Sequence, residues 1–276
     1  YGSIGHLAGS RMGPTDSQVH AGQSAICTTK ARPGDTIVVQ EKLDGSCVAV
    51  ANVDGDIIPL VRAGYPATSS PRVFHHHFAR WALDRADAFA ALLAPGERVV
   101  GEWIALAHGT RYLRVDQPFV AFDIMVDDRR ALSLDVSERV AAVGLEHVPT
   151  LHRGGSLPLD EAIRLLGPGR YAPLPDDGPE GVVYRVERHG RVEFLAKWVN
   201  PAKIDGKYLD DISGGSHVWN WTRPPTEEEQ ALVAFDLVTF GNGFLRYLRD
   251  DDRYERVAPG DVTPKEEPWT YPRTSI

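Results

Sequence analysis

Between residues 36 and 61 the chain alternates short runs of β-branched and apolar residues with Asp-Gly pairs, and this pattern restricts the fold more than any other feature of the sequence. Thr36 to Gln40 and Cys47 to Ala51 are Val-rich and bounded by turn residues, so both are read as strands. Val48 to Val61 reads as two strands joined at Val53-Asp54-Gly55-Asp56, because Asp-Gly between apolar runs favours a tight hairpin. Lys42 falls at the end of the first run, two residues before Asp44-Gly45, at a strand end expected to face a cleft. An amine in that place attacks an electrophile only after losing its proton. Lysine keeps its proton to about pH 10.4, so burial or neighbouring cations are expected to lower that value. Lys-x-Asp-Gly also occurs by chance beside surface turns, and the rest of the chain has to supply the context.

The 276 residues are 42% hydrophobic and 25% charged, enough to bury a sizeable core in one large domain with an appendage or in two small ones. No apolar run reaches the roughly 18 residues of a membrane span, and no basic-then-apolar leader opens the sequence. The start at Tyr1, without a Met, is consistent with an upstream segment having been removed. Cys27 and Cys47 are the only cysteines and form no Cys-x-x-Cys, which argues against a zinc ribbon or a disulfide framework and for a reducing cytoplasm. A net charge of −8 argues against indiscriminate coating of nucleic acid, while leaving room for a local basic groove.

Along the chain, residues 1 to 14 are rich in Gly and Ser without helical or strand period, so they read as a loop in which His6, Ser10 and Arg11 are candidates for phosphate or substrate contact. Arg62 stands at the far end of the hairpin. From Ser70 the period becomes helical, with Phe74, Phe78, Trp81, Ala82, Phe89 and Leu92 on one stripe. His75-His76-His77 lies there, and adjacent helical residues diverge too far to share one metal. Arg98 to Leu106 is strand-like and contains Glu102, which is costly to bury unless it binds something or meets a base. Pro118 to Val126, with Phe122, is another strand. Leu134 to Val143 and Leu159 to Leu166 read as packing helices, the second with Ser156 as cap and Pro158 near its first turn. A turn then brings Glu180 to the mouth of a strand through Tyr184, and its partner, Val192 to Val199, carries Lys197. Beyond it a helix is expected from about Thr226 to Leu248, opened by Thr226 with Glu229 three residues on, before a polar end.

Lys42, Arg62, Glu102, Phe122, Glu180 and Lys197 thus form an ordered set on strands, and through it the chain resembles the covalent nucleotidyltransferase superfamily of polynucleotide ligases and capping enzymes. The resemblance rests on Lys-x-Asp-Gly at 42–45, Gly101-Glu102, Phe122-Asp123-Ile124, Glu180-Gly-x-Val and the lysine of the last strand, and covers about Tyr1 to Leu209. Within the superfamily the chain is most similar to ATP-dependent RNA ligases of the phage nick-sealing type. Gln40-Glu41-Lys-x-Asp-Gly-Ser46, Gly-Glu-Trp-x-Ala-x-x-His108-x-x-x-Tyr112 and Asn200-Pro-x-Lys-Ile-Asp-Gly-Lys-Tyr-Leu209 carry that likeness.

The resemblance implies an α+β nucleotidyltransferase fold of mainly antiparallel sheets with flanking helices over 1–209, and a small helical appendage over 210–276. It implies ATP and Mg²⁺ or Mn²⁺ as cofactors and broken or nicked RNA ends as partners. Lys42 would form a lysyl-AMP that is passed to an RNA 5′-phosphate, and Lys197 would be the fixed cation at the phosphate. Asp44 and Glu180 would hold the waters of the metal, and Glu102 would accept from ribose hydroxyls. Arg62 would contact nucleotide or RNA end, Phe122 and Val183 would sandwich adenine, and Gln40 or Glu41 would read its amine. The sequence departs from the family where Val199 stands in place of a second lysine, and Lys203, four residues beyond, is read as falling short. The alternatives are a catalytically weakened nucleotide or RNA-end binding module, and a DNA ligase, the latter disfavoured because no spaced strands of an OB barrel follow Leu209.

Overall fold

The computed structural model describes residues 1–209, 212, 214 and 217–230, and the backbone of two strands at 245–248 and 253–256. Its strands are β1 (Gly5–His6), β2 (Asp35–Lys42), β3 (Ser46–Val53), β4 (Asp56–Val61), β5 (Glu97–Trp103), β6 (Phe119–Val126), β7 (Arg129–Arg130), β8 (Glu146–His147), β9 (Thr150–Gly154), β10 (Gly181–Arg188), β11 (Arg191–Val199), β12 (Leu245–Leu248) and β13 (Arg253–Arg256). The helices are α1 (Ala21–Thr28), α2 (Val73–Leu83), α3 (Ala86–Leu92), α4 (Ser133–Ala142) and α5 (Leu159–Leu166). This is the expected α+β class, with sheets that are antiparallel except where β1 joins β11 and β8 joins β6.

One sheet has the order β1-β11-β10-β2-β9 and the other β4-β3-β5-β6-β7, with β8 beside β6. Among the described residues β12 and β13 pair with each other and with no other strand. The Val53–Asp56 hairpin forms as the sequence predicts: Asp54 and Gly55 both take positive φ, the conformation that a two-residue turn between right-twisted strands demands. β2 and β3 do not pair. At Leu43–Gly45 the chain leaves the first sheet and enters the second, and no residue larger than glycine fits at 45, where a Cβ would run into the Trp103 carbonyl.

Each sheet buries one face under helices. Ile26 and Cys27 of α1 and Ala162 and Leu166 of α5 cover Ile37, Val39, Val182 and Tyr184 of the first sheet. Phe78 and Trp81 of α2 and Phe89 of α3 meet Trp103 and Phe119 of the second, with ring centroids 5.5 to 6.1 Å apart. Side chains of that size contribute about 1.5–3 kcal/mol each on burial. The two remaining faces look toward one another across a cleft.

Several expectations change. The opening segment is not all loop: β1 adds to the edge of β11, with His6 opposite Lys197. The helical stripe from Phe74 to Leu92 is split at Asp84–Arg85 into α2 and α3. Ser156 does not cap α5, whose N-cap is Pro158; its hydroxyl donates to Ile26 O and accepts from Ala31 N–H. Thr226 and Glu229 do form the expected reciprocal cap, Glu229 accepting from Thr226 N–H at 2.7 Å, and residues 227–230 are helical. The rest of that expected helix lies outside the described residues except Leu245–Leu248, which is strand β12. Residues 217–222 return to the second sheet, where buried Asn220 accepts from Tyr112 N–H and donates to Ile104 O.

Candidate active site

β10 is the central strand of the site because it pairs on both sides. Lys42, Gly181 and Val199 share one row across β2, β10 and β11, and Gln40, Val183 and Lys197 share the next row on the same face. The spacing of two within each strand, read from the sequence as strand alternation, therefore puts these side chains on one wall. The opposite wall comes from the second sheet, with Cys47, Glu102 and Phe122. The enclosed cleft has a volume of ≈ 620 Å³, within the range of small-molecule sites.

Lys42 Nζ lies 2.9 Å from Glu180 Oε2, and the two side chains are only 22% and 11% exposed. Burial alone would lower the lysine pKa, but Glu180, Glu102 and Asp44 outweigh it and hold the ammonium above the ordinary lysine value. The expected lowering by burial or cations is thus reversed in the free protein, because the lysine sits among carboxylates. Burial dominates on the acid side of the same group. It raises Glu180 despite Lys42, and pushes Glu102 up to about 8 with help from Glu180 and Asp44. Glu102 Oε1 accepts from Gly45 N–H at 3.1 Å, so the carboxylate is fixed against the sheet crossing. Burial, with Lys42 nearby, lowers Lys197, whose closest acid is Asp16 at 3.8 Å.

The second wall has a local irregularity that aims its residues. Val100 pairs with Asp123 and Gly101 with Ala121, so Phe122 is the extra residue of a β-bulge. A bulge breaks the alternation of faces, and both Phe122 and Asp123 border the cleft. Phe122 therefore faces the wall that carries Val183, as the aromatic half of a flat slot. Its edge is met by the Tyr1 ring at 5.3 Å, and Tyr1 Oη donates to Asp123 Oδ2 at 2.7 Å. Arg62 borders the cleft beside it, its Nε donating to Tyr1 O. Gln40 is buried, with Nε2 3.3 Å from Ser133 Oγ and 3.4 Å from His147 Nε2. Glu41 is also buried, and its carboxylate accepts from Arg170 N–H.

The remaining candidates are less central. His6 is buried between Ser10 and Asp16, 2.6 Å from Ser10 Oγ, while Arg11 pairs with Asp205; neither side chain borders the cleft. Lys203, by contrast, reaches the site. Its Nζ is 2.9 Å from Asp44 Oδ2, which also accepts from Gly109 N–H, and it holds Asp44 below the usual carboxylate range against the effect of burial. That lysine sits in the loop after β11, where chain distance from Val199 does not reveal the fold back to Asp44.

The sequence reading gives Asp123 no role beyond its place in Phe122-Asp123-Ile124 and does not single out Arg185. Fully buried Arg185 of β10 donates to Asp123 of β6 at 2.6 Å and to Glu187 at 3.2 Å, so a charged pair ties one sheet to the other beside the slot. The signal was present, since each is a charge inside an apolar strand, as Glu102 is. Ser133, which opens α4 one residue before the Leu134 to Val143 helix expected only to pack, donates its N–H to Glu187 in the same network.

Asp44 and Glu180 offer hard oxygen donors of the kind that Mg²⁺ and Mn²⁺ prefer. Among the described residues no three His, Cys, Asp or Glu side chains converge as direct ligands, so the donor set fits an ion that keeps much of its water. No described helix is long and apolar enough to cross a membrane.

Comparison with solved structures finds similarity to an archaeal ATP-dependent RNA ligase, 20% identical over 61% of this chain and 43% of that one, with a TM-score of 0.41. A mutant of the Naegleria gruberi RNA ligase with ATP and Mn is 20% identical over 61% of this chain and 51% of that one, with a TM-score of 0.45. A putative ATP-dependent DNA ligase from Aquifex aeolicus is 15% identical over 76% and 54%, with a TM-score of 0.40. The chain spans about half the length of these proteins. No curated protein matches it. The family model described as RNA ligase matches residues 35–199, from the first residue of β2 to the last of β11, and contains every cleft carboxylate and lysine from Lys42 to Lys197. The chain belongs to the RNA ligase family.

Proposed function

We propose that the protein is an ATP-dependent RNA ligase that joins 3′-hydroxyl and 5′-phosphate ends through a lysyl-AMP. The observation that carries the reading is the placement of Lys42: a strand-end amine, inside the cleft, ringed by Glu180, Glu102 and Asp44 and within the family match. Lys42 Nζ loses a proton to solvent and attacks the α-phosphorus of ATP, forming a P–N bond as the bond to pyrophosphate breaks. The AMP then passes to an RNA 5′-phosphate, and attack by a 3′-hydroxyl on that activated end closes the phosphodiester and releases AMP.

The chain's residues serve these steps by holding charge and position, which is most of what phosphoryl transfer requires. Phe122 and Val183 form the walls for adenine, and Glu102 accepts from the ribose. Lys197, the fixed cation, stabilises phosphate oxygens from the row beside Lys42. A bound Mg²⁺ or Mn²⁺ would supply further charge neutralisation at the phosphates, with Asp44 and Glu180 holding its waters. Glu180 keeps the proton on Lys42 until such neutralisation weakens its hold.

The test is incubation with α-labelled ATP and Mg²⁺. A label that survives denaturation, and is absent from a Lys42→Ala protein with unchanged circular dichroism, supports the reading. A wild-type protein that takes no label removes it, leaving a module that binds nucleotides or RNA ends without turnover. Glu180→Ala is expected to lose activity at every Mg²⁺ concentration, since extra metal does not replace the carboxylate that orders its waters. Recovery at saturating Mg²⁺ would reject that role.

A further inference from the structure

The cleft continues past Lys42, away from the Phe122 slot, to an end formed by Ser46, Arg72, Phe74, His75 and His108. None of the steps above uses these residues. Their hydrogen bonds are nevertheless ordered. Ser70 Oγ accepts from Arg72 N–H at 3.1 Å and lies 2.6 Å from His75 Nδ1, and His75 Nε2 lies 2.9 Å from Ser46 Oγ. The His75 ring is thus pinned at both of its nitrogens between two serine hydroxyls. Ser46 Oγ is held by that ring at the cleft, and a hydroxyl has capacity for a further hydrogen bond.

A second polar group lines the same end of the cleft. Among the described residues His108 Nε2 is buried without a hydrogen-bond partner, so its bonding capacity is unused within this part of the chain. The ring is held edge-on against Phe74 at 5.0 Å, while the His108 carbonyl accepts from Tyr208 N–H, so it is not free to swing away. Burial lowers both His75 and His108, which makes them neutral hydrogen-bonding groups near pH 7 and leaves Arg72 to supply the charge. A hydroxyl, an imidazole nitrogen and a guanidinium at one end of a cleft match a phosphoryl group, whose oxygens accept from all three.

We infer that this end of the cleft seats a phosphoryl group of a substrate, with Ser46 Oγ and His108 Nε2 as donors and Arg72 as the cation. The inference rests on the nucleotidyl-transfer reading only in taking that group to belong to a substrate of Lys42. Two sources carry the same chemistry, the terminal phosphates of ATP and the phosphate at an RNA end.

The experiment compares wild type with His108→Phe, which keeps a ring against Phe74 and removes both nitrogens, and with Ser46→Ala. In one arm, anisotropy measures affinity for a 5′-phosphorylated oligoribonucleotide and for its 5′-hydroxyl twin. In the other, the ATP concentration dependence of self-adenylylation is measured. Loss of one such hydrogen bond should cost about tenfold. A loss of that size in the preference for the phosphorylated strand identifies the RNA phosphate, and a rise of that size in half-saturating ATP identifies the ATP tail. Partial recovery in His108→Gln, which restores an N–H donor, separates a binding role from a packing one. Wild-type behaviour of both variants in both arms overturns the inference. A protein that never self-adenylylates, yet loses its phosphate preference in His108→Phe, would sink the lysyl-AMP reading and keep the phosphate seat.

Discussion

Lys42 is held charged by its neighbours, and this has two measurable consequences at the scale of single residues. Burial and carboxylates oppose each other there, so removing one carboxylate lets burial gain and the lysine pKa fall. Glu180→Gln is therefore expected to make Lys42 react faster than in wild type with an amine-directed reagent, in the absence of nucleotide and metal. Peptide mapping by mass spectrometry reads the rate, and equal rates would mean that Glu180 does not restrain the amine. Glu102 shows the reverse. Its folded pKa, raised to about 8, lies above its ordinary 4.5, so the folded state keeps a proton that the unfolded chain releases. Stability from this group is full below the ordinary value and falls as pH rises through the folded one. The melting temperature of Glu102→Gln should gain on that of wild type between about pH 5 and about pH 9. A constant difference would show that Glu102 is not held protonated.

Among the elements, those with a local signature were legible and those that depend on tertiary contact were not. The hairpin at Asp54–Gly55, β10 and β11 with their turn at His189–Gly190, and the cap at Thr226 each follow from residues close in sequence. β1 has two residues and exists only because β11 presents an open edge, so no periodicity could announce it. The same holds within the site. Lys42, Glu102, Glu180 and Lys197 stood out as polar residues at strand ends or in apolar strands, whereas the reach of Lys203 to Asp44 depends on how a loop returns. The bulge at Phe122 is likewise invisible in β6 alone, because it is defined by the pairing with β5. Gly45 belongs to both categories: the Asp-Gly pair was read as a turn, but its glycine is required by the Trp103 carbonyl at the sheet crossing. Gly45→Ala is expected to lower the melting temperature and to slow adenylylation together, since the clash displaces the segment that follows Lys42. A stable protein with normal labelling would show that the crossing has slack.

For the molecule as a whole, substrate choice and chain boundaries are the open quantities. RNA differs from DNA by its 2′-hydroxyls and A-form geometry, so a nick with ribose on its 3′-hydroxyl side should be sealed far faster than an all-deoxyribose nick. Pre-adenylylated 5′ ends isolate that step, and equal rates would favour a DNA ligase. The net charge of −8 suggests few long-range phosphate contacts and a modest fall of affinity with salt. The match to the family model ends at Val199, yet Asn220 fills buried hydrogen bonds of Tyr112 and Ile104. A chain cut after Leu209 should lose stability by an amount typical of buried polar groups left unmatched, about 1–3 kcal/mol for each, read by urea unfolding. Unchanged stability would make residues 210 onward a true appendage.

The passages between the two sheets give this architecture a mechanical axis. From β2 onward the chain passes between the sheets at Leu43–Gly45, at Val148–Pro149 between β8 and β9, and after Val199. All three lie at the same end of the first sheet: Glu41 N–H donates to Pro149 O, and Asn200 N–H to Glu180 O. Like pages bound along a spine, the sheets are joined where Lys42 sits. Farther along β10 the sheets are latched again, by Arg185 to Asp123 and the Ala131 carbonyl and by Ser133 N–H to Glu187, so the strand that backs the lysine is anchored to the opposite sheet at two separated points and the cleft keeps its width.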